Sequence, residues 1–582
     1  MEQLVRGNEK MKKKNSLAAG LLQLESSRHL RDRGSISKVE RLLASLRNRR
    51  PPDVDSLIRF HDALLFLRAF PQSAEVVQRT DSLLADVGQQ VASLREAGLN
   101  VSRLDQEDVS GIAGTCLRDK FTYEVALWLT QRYSEQIRAE WDVDEQARRL
   151  GASLPRFVPL IEDDCLVEAD TPYLKWLGNA GGQGHELDWL LRRIQSSPNP
   201  ISEKTELYDA LGLELHWELG DSVASRTLAR RPVAEFFFHQ EPLIRRNQVS
   251  LAQELNSAPL VVRKLSSSEG EEILDMCRDA VTVRYRELYG TTRGDPSQVW
   301  EADAGRGVRI FAWGLASDRR LPLRAYHAGF TLKNGVPINY IEGISLFEWM
   351  EIGFNTFYAY RDGETAWIYS KVLHLFHQLT GVTCISVYPY QLGHENEEAI
   401  QSGAFWFYRK LGFRPGQLEL LELTRKEERK MAANSKHRTS AATLRKLAAG
   451  HAFYEIGAGP HGLWDTFSTR NLGLAVQMQM AKEYAGNPDA MFRSAGSRLA
   501  RVLNVDPNSY AATERKAFNN FAFLLCLARD LEKWETADKR ALLDIIRAKA
   551  APDETVYLRL LQQHETLRET LRKLGSLPVG TL

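Results

Sequence analysis

Residues Ala359 to Phe413 read AYRDGETAWIYSKVLHLFHQLTGVTCISVYPYQLGHENEEAIQSGAFWFYRKLGF, and the fold class can be argued from this stretch. A glycine-containing turn, Tyr360 to Thr365, opens into Trp367 to Gln378, where Ile368, Val372, Leu373, Leu375 and Phe376 recur at helical spacing. Gly381 stops that helix. Val382 to Tyr388 then alternates β-branched and aromatic residues like a strand, and a second helical run closes on Gly412 and Phe413. Loop, helix, strand, helix is the nucleotide-holding half of an α/β domain.

Upstream of this stretch the pattern turns to strands. Leu260 to Lys264 is strand-like, the following SSSEG supplies a helix cap, and Glu271 to Tyr289 has helical periodicity. Three strand candidates come next, Val308 to Leu315, Leu323 to Leu332 and Val336 to Phe347. Lys333-Asn334-Gly335 reads as the hairpin turn between the last two, since asparagine and glycine tolerate positive φ. The fold class expected is mixed α/β: a central mixed sheet over 258–425, a mostly helical region over 35–257, a helical C-terminal region over 426–582, and a flexible tail over 1–34.

This arrangement resembles the acyl-CoA-binding half of the GNAT acyltransferase superfamily. Its members carry R/Q-x-x-G-x-G/A at the start of the first helix and N-x-x-A-x-x-x-Y-x-x-x-G-F on the second. Arg361 takes the first position of the former motif and Ala366 the last, with Glu364 where glycine is usual. Ala404, Tyr408, Gly412 and Phe413 fall into register with the latter, and Gln401 replaces the asparagine. The resemblance implies direct transfer of an acyl group, acetyl first among them, from acyl-CoA to an unidentified amine. It needs no metal.

Thioester transfer requires a pyrophosphate site, a route for the ammonium proton and an acid for the departing thiolate. Arg361, Gly363, Glu364, Thr365 and Ala366 would hold pyrophosphate, through backbone N–H groups and the positive helix end. A carboxylate at Glu364 beside an anion is costly unless it points to solvent or pairs with a neighbouring cation. By resemblance, Gln401 contacts the pantetheine or backbone and Tyr408 protonates the thiolate. A glutamate near the fourth strand would be the base; Glu342, Glu348 and Glu351 all precede the loop, and Glu348 and Glu351 are the candidates. The cluster Arg284, Arg286 and Glu287 stands where the acceptor pocket is commonly shaped, although its residues by themselves read as a helix-surface ion pair.

Composition narrows the alternatives. The chain of 582 residues has a formal net charge of +1, 43% apolar and 26% charged residues, which marks several soluble domains and gives no global argument for nucleic acid or acidic lipid. The basic run after Thr424 has no interleaved aromatics to stack on bases. No apolar stretch approaches the ~20 residues of a membrane span, and the N-terminus does not read as a signal peptide. Cys116, Cys165, Cys277, Cys384 and Cys526 are scattered without a CxxC, as in a reducing cytoplasm.

Several local features read as structural. His61 falls on an apolar helix, GNAGGQG (Gly178 to Gly184) as a surface loop, and Glu162 to Asp164 as a solvated turn. Gly457, Gly459 and Gly462 spell GxGxxG, but the residues after Gly462 lack the second strand of a dinucleotide fold. The rival expectation to an enzyme is a non-catalytic GNAT-like scaffold whose helical regions hold a macromolecule. A carrier-dependent transferase on the same fold is a third.

Overall fold

The computed structural model describes residues 19–29, 32–47, 49–141, 143–154, 172–457 and 461–576. The triplet Glu162 to Asp164, Cys165 and Gly459 lie outside the described residues. The fold is mixed α/β. A small antiparallel sheet comprises β1 (Cys116–Asp119), β2 (Ile137–Glu140) and β3 (Glu214–Glu218), with β3 central. The large sheet comprises β4 (Val261–Lys264), β5 (Gly294–Gly305), β6 (Val308–Leu315), β7 (Ala325–Lys333), β8 (Val336–Leu346), β9 (Trp349–Thr356), β10 (Cys384–Val387), β11 (Arg414–Pro415) and β12 (Ala452–Glu455). Its order is β11-β12-β10-β9-β8-β7-β6-β5-β4. Every neighbouring pair is antiparallel except β9 and β10.

Five helices matter for the site: α1 (Val54–Ala69), α2 (Ser267–Tyr285), α3 (Thr365–Thr380), α4 (Glu397–Ser402) and α5 (Ala404–Lys410). Ser266 and Glu269 form the capping box that starts α2, each side chain accepting from the other's backbone N–H. Gly381, left-handed at φ 77°, ends α3. Asn334 and Gly335, at φ 49° and 80°, make the two-residue turn between β7 and β8. Leu57, Phe60 and Leu64 of α1 share one apolar core with Ile310, Phe330 and Ile352 of the sheet and Tyr369 and Phe376 of α3. A second core joins the C-terminal helices to Leu346, Phe347 and Trp349, and a third closes the small sheet around Trp217.

Differences from the sequence reading have local causes. β5 is absent from the expected strands, because its first half, Gly-Asp-Pro-Ser, is polar and its pairing with β6 breaks register between Gly294 and Val299. β9 looks, by sequence, like the run-in to the loop. The chain reverses at Phe347-Glu348, with Phe347 at φ 53°, a conformation unusual for a bulky side chain. Stacking on Trp464 at 6.0 Å and a hydrogen bond from Gln562 Nε2 to the Phe347 carbonyl, 3.0 Å, hold it there. The small sheet lies within the stretch expected to be mostly helical, and β12 adds to the large sheet from beyond 425. Residues 19–27, in the stretch expected to be a flexible tail, are helical and place Leu21 and Leu24 in the central core. The second helical run is two short helices, α4 and α5, broken at Gly403 with φ 69°.

Candidate functional site

The site begins where the sheet comes apart. β9 and β10 pair only across Trp349–Glu351 and Cys384–Ser386. Past that point β9 runs on to Thr356 against β8 alone, while the chain leaves β10 at Tyr388 for the short helix Pro389–Leu392. The gap lies at the carboxyl ends of the parallel pair, the place where open α/β sheets hold ligands. A cavity of about 480 Å³ fills it, bordered by Phe354, Asn355 and Thr356 on one side and Tyr390, Gln391 and Tyr408 on the other.

Tyr408, on α5, is 5% exposed. Its hydroxyl donates to Gln391 Oε1 at 3.3 Å, and its ring packs edge-on against Tyr369 and Phe413, each at 5.7 Å. Burial pushes the phenol pKa well up, so the group stays protonated. Asn355 Nδ2 donates to the Tyr340 hydroxyl at 3.1 Å across the β8–β9 pair. Asn396, whose side chain caps α4 by accepting from Ala399 N–H, also borders the cavity. Gln401 is exposed on α4 and borders no part of it; the motif position is occupied, yet the helix break at Gly403 leaves that side chain outside.

A second cavity, of about 520 Å³, lies at the N-terminus of α3. Arg361, Gly363, Thr365 and Ala366 line it together with Arg245 and Arg246, and it shares Arg361, Thr365 and Phe407 with the first. No side chain caps α3, and no acidic residue sits in its first turn, so its first N–H groups and helix dipole face this space. Burial lowers the Arg246 pKa, and burial with the nearby Arg246 and Arg438 lowers that of Lys410. No carboxylate among the described residues pairs with Arg246 or Lys410; Asp362, which also lines the cavity, pairs with Arg28 at 2.9 Å. Arg361 stacks on the Tyr358 ring at 4.0 Å and pairs with Glu398, which also accepts from the Tyr358 hydroxyl at 2.6 Å.

Glu364 does not face this cavity. Its side chain is 0% exposed and points inward, accepting from Arg306 Nη2 at 2.5 Å and from Ile244 N–H at 3.1 Å, with Lys333 Nζ 3.7 Å away. The residue that replaces the usual glycine is therefore neutralised within the fold, and it ties the Ile244–Gln248 wall of the cavity to α3. Gly363 has a packing reason of its own, because a Cβ there would stand 2.5 Å from Phe70.

Neither glutamate expected as the base borders the gap. Glu348 lies at the β8–β9 reversal, at the opposite end of β9. It accepts from Trp464 Nε1 at 3.0 Å and pairs with Arg568 at 3.0 Å. Glu351 is on the Asn355 face of β9, two pleats below Asn355, and is bound to His451 Nε2 at 2.8 Å. Glu342 accepts from the Tyr326 hydroxyl.

The far end of the gap is lined by Arg284, from the cluster expected near the acceptor pocket, and by Arg226, which motif reasoning passes over. Arg226 and Arg284 border it with Tyr285, Tyr340 and Phe357. Of the cluster at the end of α2, Arg286 pairs with Asp119 of β1 at 2.7 Å and Glu287 with Arg293 at 3.0 Å, both from positions just past the helix, so the pairs reach beyond α2 and are not made on its surface. Arg284 instead turns into the protein. Of the local features read as structural, His61 is buried and bonded to Thr227 Oγ1 at 3.0 Å. β12 leads through a turn to helix Thr469–Tyr484 with no second parallel strand among the described residues. One trio among the described residues, Glu140, Glu214 and His216, could share a metal ion; it stands on the small sheet, apart from the gap.

Comparison with known proteins finds no match to any family model, any curated protein or any solved structure. No helix among the described residues is long and apolar enough to cross a membrane.

Proposed function

We propose that the chain is an acyl-CoA-dependent N-acyltransferase of the GNAT kind, working in the cytoplasm, with acetyl-CoA the first donor to try. The observation that carries this reading is the pair of adjoining cavities: a cationic one at an uncapped helix N-terminus and an aromatic one around a buried tyrosine, joined at Arg361, Thr365 and Phe407. A donor with a pyrophosphate at one end and a thioester at the other has that distribution of chemistry. Its phosphates would meet the first N–H groups of α3, Arg245, Arg246 and Arg361, and its pantetheine arm would pass Phe407 into the gap between β9 and β10.

The acceptor nitrogen would attack the thioester carbon, forming C–N as C–S breaks. The thiolate would take the Tyr408 proton, solvent would restore that proton, and the proton shed by the nitrogen would leave to water at the open mouth. Gln391 would hold the phenol in place. The scaffold alternative draws on Glu364 in the phosphate loop, on Gln401 at the asparagine position and on the long regions outside the central domain, and the outward Gln401 and those regions still favour it. The inward pairing of Glu364 with Arg306 and Lys333 removes the first of these from the path of the donor, which supports the enzyme reading on that point.

Release of free thiol from acetyl-CoA, followed over pools of primary amines, tests the reading. Tyr408→Phe should lower kcat by roughly a hundredfold, the usual scale for loss of a positioned acid, with little change in donor KM. Equal turnover by wild type and Tyr408→Phe, or no thiol release with any amine pool, would refute it.

A further inference from the structure

The far end of the gap holds two guanidinium groups that no carboxylate among the described residues pairs directly. Arg226 is 7% exposed and Arg284 5%. Arg226 donates from Nη1 to the Asp108 carbonyl at 2.9 Å, while its buried Nε has no hydrogen-bond partner. Arg284 donates from Nη1 to the Ala280 carbonyl at 2.7 Å and stacks on Phe357 at 4.1 Å. Among the described residues, no carboxylate stands within ion-pairing distance of either. Asp62 acts on both from further off; Asp108, which borders the same cavity with Glu107, acts on Arg226 from further off while its carboxylate pairs with Arg103, and Glu107 touches Arg226 through its carbonyl. Burial together with the facing Arg284 pulls the Arg226 pKa down to about 9. Buried charges in folded proteins are as a rule paired, since an isolated one forfeits its hydration.

Backbone contacts hold the pair together. Arg226 N–H donates to the Gly111 carbonyl at 2.8 Å, and Gly111 lies so close to α2 that a Cβ on it would stand 2.6 Å from Val283 Cβ. Gly111 thus bridges the loop carrying Arg226 to the last turn of α2, which carries Arg284. Two forked donors converge on one cavity wall, in a space shared with Tyr408.

We propose that the acceptor is an amine carrying an oxyanion, a carboxylate first, which Arg226 and Arg284 hold at the far end of the gap while its amino group points toward Tyr408. This deepens the acyl-transfer reading and rests on it for the word acceptor. The anion pocket itself does not depend on it. Guanidinium forks match planar carboxylates in bidentate fashion, and Tyr285, Tyr340 and Phe357 give the connecting chain an aromatic wall.

The test is isothermal titration of the full chain, with and without saturating CoA, using β-alanine, glycine, γ-aminobutyrate, β-alaninamide and O-phosphoethanolamine. β-Alanine or one of its homologues should bind, and β-alaninamide should bind roughly ten- to a hundredfold more weakly, the scale of a charge-assisted hydrogen bond. Arg284→Met should lose anion affinity by the same factor while holding or raising Tm, since no carboxylate loses a partner and the Ala280 carbonyl keeps its place in α2. Should that variant fail to fold, the wild-type contrast between acid and amide still decides. Binding by O-phosphoethanolamine alone would keep the anion pocket and assign it to phosphate. Equal binding of acid and amide, undiminished binding by a folded Arg284→Met, or no saturable heat from any anionic amine would overturn the proposal. CoA binding without anion binding sinks only this inference; anion binding without CoA binding sinks only the donor reading.

Discussion

Replacing Glu364 by alanine should be among the most damaging single changes in the loop, although sequence alone would make it a surface turn residue. The carboxylate is fully buried; it accepts from Arg306 at 2.5 and 3.2 Å and from Ile244 N–H at 3.1 Å, and Lys333 Nζ lies 3.7 Å away. Removing one member of a buried ion pair costs about 3–5 kcal/mol. Arg306 keeps 23% of its side chain in contact with solvent, so the lower end applies, about 3 kcal/mol. The Ile244 N–H left without an acceptor adds about 1 kcal/mol. Urea unfolding followed by tryptophan fluorescence should therefore show a loss of about 4 kcal/mol for Glu364→Ala at unchanged m-value. A double-mutant cycle with Arg306→Ala should return a coupling above about 1.5 kcal/mol, where an exposed pair gives roughly 0.2–1 kcal/mol. A loss under about 1 kcal/mol, or a coupling near zero, would refute the inward placement of Glu364 and with it the argument that the loop accepts an anion.

Two further outcomes are expected from groups on α2 and packed against it. Asp279 on α2 is buried against Arg132, at 3.3 Å, and the Tyr133 hydroxyl, at 2.6 Å, and burial pushes its pKa up to about 6 from 3.8. Between those values the folded state holds a proton that the unfolded chain has released, so stability should fall as pH rises from about 4 to about 6. The change is on the order of 2–3 kcal/mol, and Tm measured across that window should flatten in Asp279→Asn; an unchanged slope would contradict it. Gly111→Ala places a Cβ at φ 93° and 2.6 Å from Val283, which should cost about 2–4 kcal/mol and lower Tm. A Tm equal to wild type would show that Gly111, which anchors the Arg226 loop, is not pressed against α2.

Legibility in the sequence depends on whether a residue's environment is set nearby in the chain. α3, β6, β7, β8 and the Asn334-Gly335 turn can be read because apolar spacing and turn chemistry are local signals. β9 cannot, since its start depends on a phenylalanine held at positive φ by Trp464 and Gln562, more than a hundred residues away. The same divide runs through the site. Tyr408 and Arg361 stand out by motif and do border the cavities, whereas Gln401, equally in register, is turned outside by a helix break at Gly403. Glu364 looks like a charge misplaced in a phosphate loop until Arg306 and Lys333, brought in from the β5–β6 turn and the end of β7, reverse its meaning. Arg226 carries no sequence signal at all, since its place depends on the backbone bond to Gly111, and Arg284 is turned inward on the last turn of α2 while Arg286 lies past the helix end at φ 68°.

Whether the cationic cavity at the start of α3 receives the donor decides the whole functional reading. Isothermal titration of the full chain with acetyl-CoA and with free CoA addresses it, paired with Arg361→Glu and Arg246→Glu. Wild type should bind saturably at micromolar concentration, and either reversal of charge should weaken binding at least about tenfold, as expected for loss of a charge-assisted phosphate contact. No saturable heat at millimolar CoA, or binding indifferent to both reversals, would show that the donor does not bind there.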